Sequence, residues 1–484
     1  MGHMDIREEA GRCLLCVDAP CSKACGQGDP ARAIRAIRFD NTTLASRWID
    51  GCSEENLRAA EEACIHYDRP VRIREMLRDL PAAPDSGVNP DLGIEFCGIR
   101  CENPFFLASS AVCTNYEMVA RAFDAGWAGV FYKTICLQEI REVSPRFDAV
   151  GEGRRGDFAG FRNMEQLSEN PADVDFDILH RLKQNYPTKV VVASIMGQDE
   201  EDWIKLAKMA EKSGVDAIEL NFSCPQMRLA GMGSDVGQNP ELVTFYTAYV
   251  KRTVKIPVIA KMTPNITTMN QPAMGAYFAG ADGISAINTI KSLTMNERSS
   301  VSEKKTISGY SGRAVKPIAQ RFILEMASNP LMKKVHLSGI GGIETWRDAL
   351  EYIQLGCRNV QVCTAVMQYG YRIIDDLVSG LHAYMAERGI GDLAQLVGEQ
   401  ISRFVRPTDL DRDTVVYPKI DRDVCIGCGR CYTSCMDGGH QAIEFDPQTR
   451  KPRMIGPKCV GCLLCSLVCP TGAIGITRRS AKKS

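Results

Sequence analysis

Residues 212–225 read KSGVDAIELNFSCP, and the change of character along this stretch decides the fold. Just before it, Trp203, Leu206, Ala207 and Ala210 recur at i, i+3, i+4 and i+7, the stripe of an amphipathic helix. Gly214 then supplies the left-handed residue that ends a helix and turns the chain straight into a strand. DAIELNF (216–222) is a near-continuous apolar run, which is how a strand buried on both faces reads. The same unit recurs: DAGWAGVF, FAGADGISA and QLGCRNVQV place Gly126, Gly280 and Gly356 in the same position before a strand. The runs are FFLASSA (105–111), AGVFYKT (128–134), KVVVASI (189–195), DAIELNF (216–222), PVIAKMT (257–263), DGISAINT (282–289), KVHLSGI (334–340) and NVQVCTA (359–365). Eight such strands with helices between them predict an α/β architecture, a (β/α)8 barrel. A doubly wound open sheet is the alternative. Its dinucleotide-binding version needs G-x-G-x-x-G after an early strand, and no such run follows one here.

With 484 residues, 45% of them hydrophobic and 24% charged, the chain reads as a globular protein of two or three domains. Lys plus Arg is 58 against 59 for Asp plus Glu, so no overall field points to nucleic acid or a membrane surface. No apolar run approaches the ~18 residues of a membrane span, and the N-terminal residues do not read as a signal peptide. MGHM at 1–4 reads as a remnant of expression, and a cytoplasmic location is expected. The predicted divisions are a helical Cys-rich N-terminal domain (1–85), the barrel (90–380), a connector (381–415) and a second Cys-rich domain (416–478). LPAAPDSGVNPD (80–91) serves as the first linker.

Of 21 cysteines, eight crowd into 425–469. CIGCGRCYTSC holds Cys425, Cys428, Cys431 and Cys435, and CVGCLLCSLVCP repeats the spacing at Cys459, Cys462, Cys465 and Cys469. This doubled C-x2-C-x2-C-x3-C run is the pattern of a two-cluster ferredoxin fold, in which the fourth cysteine of each run serves the other cluster. Cys425, Cys428, Cys431 and Cys469 are therefore expected around one [4Fe–4S] cluster, and Cys435, Cys459, Cys462 and Cys465 around the second. Structural zinc and disulfides fit this tight triple spacing poorly. The N-terminal block CLLCVDAPCSKAC, with Cys13, Cys16, Cys21 and Cys25, is a further metal candidate that Cys52 and Cys64 could complete. Its spacing resembles the start of the iron–sulfur domain of the glutamate synthase small subunit and of animal dihydropyrimidine dehydrogenase. That resemblance implies one more [4Fe–4S] cluster on Cys13, Cys16 and Cys21, with the fourth ligand left open.

In a (β/α)8 barrel the active site forms at the C-terminal ends of the strands. Those ends collect Ser109, Lys133, Thr134, Asn221, Ser223, Lys261, Asn288, Thr289, Gly341, Gly342, Cys363 and Thr364. SGIGGIE and VCTAVM fall after strands seven and eight, where barrels place a phosphate, and a barrel joined to iron–sulfur clusters points to FMN. Cys224, between Ser223 and Pro225, is either a buried thiol or the reacting group.

LNFSCP, AKMTPN, INT, SGYSG, SGIGGIETW and both ferredoxin runs together resemble the flavin/iron–sulfur subunits of bacterial NAD-dependent dihydropyrimidine dehydrogenases, across about residues 90–475. These share an FMN barrel with dihydroorotate dehydrogenases. The resemblance implies reduction of uracil or thymine to the dihydropyrimidine, with hydride from flavin N5 and a proton from Cys224 as general acid. It implies that Ser109, Lys133, Thr134, Lys261, Gly312, Gly341, Gly342, Cys363 and Thr364 hold FMN, with Lys261 near its N1/C2 carbonyl edge. Asn163, Glu165, Asn221, Phe222, Ser223, Asn288 and Thr289 would read the pyrimidine, and a loop with Gly231, Gly233 and Gly237 would close over it. The implied partners are an FAD- and NAD-binding subunit or another electron donor, and a second copy of the chain in a homodimeric core. Two alternatives stand beside this reading: a dihydroorotate-type enzyme acting on another cyclic amide, and an electron-transfer subunit without catalysis of its own. Residues 1–85 are extra to the bacterial pattern.

Overall fold

The computed structural model describes residues 5–78, 80, 87–150, 159–225, 227, 231–295 and 306–482. Residues 1–4, part of the expected linker and four positions of the loop after Cys224 lie outside these. The chain forms two compact units, Met1–Ile401 and Ser402–Ser484.

All eight predicted strands form, as Phe105–Leu107, Gly129–Phe131, Val190–Ile195, Ala217–Asn221, Val258–Lys261, Gly283–Ala286, His336–Ile340 and Cys357–Val362. Each pairs in parallel with its neighbours in chain order, and the eighth pairs with the first, so the barrel closes. Closure leaves no sheet edge, and the third to sixth strands are buried at every position. The four repeat glycines take positive φ, 110° at Gly126, 82° at Gly214, 100° at Gly280 and 103° at Gly356, as their place at helix ends requires.

Insertions after the second and sixth strands build a separate four-stranded antiparallel sheet in the order 290–292, 308–311, 160–163, 147–150. Arg162 pins it from within. Its guanidinium, almost fully buried, donates to Thr294 Oγ1 at 3.0 Å and to the Thr306 carbonyl at 2.9 Å, joining segments more than a hundred positions apart in sequence.

Short helices between Ile6 and Leu77 pack around their own small core of Ala33, Ile34, Ile37, Leu57, Ala60, Ile73 and Leu77. This head sits on the barrel's last two helical layers. The last long helix is Ile373–Glu387, which runs past the boundary expected at 380. Arg35 pairs with Asp375 at 3.2 Å and Asp376 at 2.7 Å, and Asn41 donates to Ser379 Oγ at 3.0 Å. The Trp346 indole N–H donates to the Asp40 carbonyl at 2.7 Å. Burial pushes the Asp376 carboxyl up to about 6, against the opposing pull of Arg35.

In the second unit, strands Pro418–Ile420 and Ile474–Ile476 pair, as do Ile443–Asp446 and Lys451–Met454, with helices Arg430–Gly438 and Leu464–Leu467 between them.

Gly380 lets Trp346, which holds the head through Asp40, lie close against helix Ile373–Glu387: a Cβ there would lie 2.1 Å from Trp346 Cδ1. Gly380→Ala is expected to cost about 1–3 kcal/mol by overpacking. It should lower the urea midpoint and speed proteolysis within the head; an unchanged midpoint would mean that Trp346 does not anchor it.

Candidate active site and cluster cavities

The mouth of the barrel opens into a cleft of about 1040 Å³, open solvent at its rim included. Ser109, Lys133, Thr134, Lys261, Gly312, Gly341, Gly342, Cys363 and Thr364 all line it, and so do Asn163, Glu165, Asn221, Asn288, Thr289 and Cys224. These residues come from distant parts of the chain and converge because successive strand ends ring one opening. Phe147, Phe161 and Tyr310 of the four-stranded sheet wall its outer side.

Polar groups at the floor are cross-braced. Asn221 donates to Thr134 Oγ1 at 2.9 Å and accepts from the Ser223 hydroxyl at 2.7 Å. Asn288 donates to Ser223 Oγ at 2.9 Å and accepts from the Thr289 N–H at 2.8 Å. Each amide is held in one orientation: Asn221, whose oxygen also accepts from the Ser223 N–H at 3.1 Å, keeps an N–H to give, and Asn288 keeps both donor and acceptor capacity. Lys133 pairs with Glu165 at 3.1 Å, both nearly buried, and Arg146 lies 3.4 Å from the same carboxylate. Lys261 pairs with Glu219 at 3.4 Å.

Two expected substrate residues do not reach the cleft. The Phe222 ring, fully buried, packs against Trp203 with centroids 5.3 Å apart, because alternation along the chain leaving strand four turns it outward toward the helix layer. Ser223, also fully buried, acts behind the wall by tying Asn221 to Asn288. Of the loop glycines, Gly231 and Gly233 have φ of 79° and 58°. Gly237 instead allows a close approach, since a Cβ there would lie 1.9 Å from the Phe222 carbonyl oxygen. Residues 226 and 228–230 of that loop lie outside the described set.

The cleft fits FMN on two observations. The Oε1 of Gln361, a buried residue lining the floor, has no hydrogen-bond partner among the described residues, so an acceptor awaits a ring N–H. Gly341 and Gly342, at φ 129° and 69°, form a cradle that side chains would fill: a Cβ on Gly342 would stand 2.8 Å from Lys316 Cβ and 3.0 Å from the Gly312 carbonyl. Gln361 escaped the sequence reading, although an amide within a strand buried on both faces was the available signal.

The cysteines of the second unit face two cavities of about 340 Å³ each. Cys425, Cys428, Cys431 and Cys469 line one; Cys435, Cys459, Cys462 and Cys465 line the other. In the head, Cys13, Cys16, Cys21 and Cys64 line a third cavity of about 390 Å³. Cys25 separates from this set: it does not line the cavity, and its Sγ lies 3.6 Å from Cys52 Sγ. Cys64 takes the fourth place because helix Glu54–Glu62 packs on Pro20–Cys25 and ends at the cavity. Arg38 and Arg372 donate to the carbonyls of Cys13 and Leu15 at 2.8 and 2.5 Å, bracing the Cys13–Cys16 loop. Among the described residues, no three of His, Cys, Asp and Glu converge tightly enough for a single ion; these sulfurs stand around cavities instead.

Substituting Gly342→Ala is expected to weaken FMN binding on the order of tenfold while the iron content stays at the parent level. Full FMN occupancy in that variant would place the phosphate elsewhere.

A family model for dihydroorotate dehydrogenase matches residues 91–385, and one for a 4Fe-4S dicluster domain matches 418–476. The chain is 52% identical over 399 residues to the NAD-dependent dihydropyrimidine dehydrogenase subunit PreA of Escherichia coli strain K12, covering 81% of this chain and 97% of that one. It is 37% identical over 338 residues to the chloroplastic dihydropyrimidine dehydrogenase (NADP(+)) of Arabidopsis thaliana, covering 66% and 79%. The catalytic subunit of dihydroorotate dehydrogenase B (NAD(+)) from Pyrococcus furiosus is 34% identical over 309 residues, covering 63% and 97%. No helix among the described residues is long and apolar enough to cross a membrane. A closed parallel barrel whose mouth fits a flavin, followed by a dicluster ferredoxin domain, thus places the chain in the dihydroorotate dehydrogenase family, with the dihydropyrimidine dehydrogenase subunits.

Proposed function

We propose that this chain reduces uracil- and thymine-type pyrimidines reversibly to 5,6-dihydropyrimidines, using electrons that enter through its clusters. The observation that carries this reading is one cleft in which a thiol, Cys224, shares space with braced amides and two lysines. FMN, held by Ser109, Lys133, Thr134, Lys261, Gly312, Gly341, Gly342, Cys363 and Thr364, supplies the hydride when bound. Cys224 holds the proton for the neighbouring ring carbon, and a thiol placed there can release it as carbanion character develops. Asn163 and Asn288 present donors and acceptors to the imide-like edge and Asn221 a donor, and Ser223 keeps two of them aimed.

Charge favours a neutral ring over a carboxylate-bearing one. Among the described residues lining the cleft, the only cations are Lys133 and Lys261, and each has a carboxylate within 3.4 Å. A substrate carboxylate such as that of orotate would meet no uncompensated charge there. Competition of uracil, thymine and orotate for the reduced enzyme tests this choice, and tighter binding of orotate would reverse it.

Electrons come from a partner subunit that binds FAD and oxidises NADH; the G-x-G-x-x-G run at 151–156 falls between the antiparallel strands Phe147–Val150 and Gly160–Asn163 and not in the strand–turn–helix unit that binds a dinucleotide. A homodimeric catalytic core belongs to the same reading, and light scattering checks it. The ferredoxin domain carries two [4Fe–4S] clusters on the two cysteine sets given above. A third occupies the head on Cys13, Cys16, Cys21 and Cys64, in a cavity of similar size.

Two measurements follow. Cys224→Ala should lose about 100- to 10,000-fold in pyrimidine reduction while the flavin is still reduced by dithionite at the parent rate; normal turnover would remove Cys224 from catalysis. Iron should stand at about twelve per chain, fall by about four in Cys64→Ser and stay unchanged in Cys25→Ser. Equal losses in both variants would restore Cys25 to the ligand set.

A further inference from the structure

We propose that Glu219 is a positioning residue that sets the charge presented by Lys261 at the cleft floor, and through it the reduction potential of bound FMN. This rests on the FMN reading above and names a residue that touches neither cofactor nor substrate. Glu219 lies on the fourth strand, whose positions are all buried, and its own exposure is 0%. It does not line the cleft; Lys261, on the adjacent fifth strand and 3.4 Å away, does. A carboxylate in that position is tolerated only with a counter-charge and donors. It has both: the Ser194 hydroxyl donates to Oε1 at 3.1 Å and the Ser285 hydroxyl to Oε2 at 2.7 Å.

The carboxylate also fixes the direction of a chain of hydroxyls. A carboxylate can only accept, so the Ser194 proton is committed to it. In the 2.9 Å contact between Thr134 and Ser194, Thr134 must then donate. In the 3.0 Å contact between Ser109 and Thr134, the donor must be Ser109. Asn221, donating to Thr134 Oγ1 at 2.9 Å, agrees with that order. Ser109 therefore faces the cleft as an acceptor only, and Lys261 faces it as a cation partly balanced from below. Glu219 thus limits how strongly the floor favours the negative charge of the cofactor's reduced form.

The test is the midpoint potential of the flavin in the holoenzyme, read from its visible spectrum against a reference dye. Glu219→Gln keeps shape and removes charge. It should favour the reduced over the oxidised form by at least tenfold, a rise of about 30 mV for a two-electron couple. Glu219→Asp, which only retracts the charge, should shift it the same way by less, and it serves if the glutamine variant does not fold. In a Lys261→Met background the shift from Glu219→Gln should vanish, because the carboxylate acts on the cofactor through that cation, 3.4 Å away. A potential within threefold of the parent in a folded, FMN-loaded variant overturns the inference, and so does an undiminished shift in the Lys261→Met background. If the parent itself binds no FMN, the function proposed above falls instead, so the two failures are distinguishable.

Discussion

Two lysines inside a barrel mouth have to be neutralised before anything else there can work. Lys133 and Lys261 project from strand ends where both faces are buried, and each is about 95% removed from solvent. Taking a cation out of water costs several kcal/mol even after relaxation, so each lysine is matched to a carboxylate. Glu165 arrives on the segment after the second strand, and Glu219 rises through the core of the fourth. The neutral mouth that results can accept an uncharged ring, with cations near enough to answer charge only when it develops.

The scaffold meets this demand by closure. Parallel pairing around the full ring leaves no edge, so strand polar groups must be satisfied among themselves. Ser109, Thr134, Ser194, Glu219 and Ser285 do this in one continuous line across five strands. The outer sheet, pinned by Arg162, then walls the open end without disturbing that floor.

The ferredoxin unit is built on a different principle. Its buried core contains Cys431, Cys435, Cys465, Ala442, Ile443 and Ile474, so half of what holds it together is cluster-binding thiol. So small a core needs its metal to be stable, and folding and cofactor loading are coupled there. The head shares the trait, with Cys13, Cys21 and Cys64 packed against its apolar centre.

The eight strands, the glycines that precede four of them and the doubled cysteine runs were legible in the sequence because each is a local pattern with a fixed period or spacing. The residues at strand ends followed once the barrel was recognised, since topology brings those ends to one rim. What local pattern cannot decide is direction and distance within a buried run. When both faces are apolar, alternation does not say which side chain faces the cleft, so Phe222 was placed there although it lies under Trp203, and Gln361 was overlooked. Helix packing, not spacing, brought Cys64 to the head cavity and turned Cys25 toward Cys52. The sequence by itself determined the elements and their chemistry; only the tertiary structure decided which charge meets which, because Lys261 and Glu219 become neighbours through the pairing of two strands with the helix Pro240–Thr253 between them in the chain.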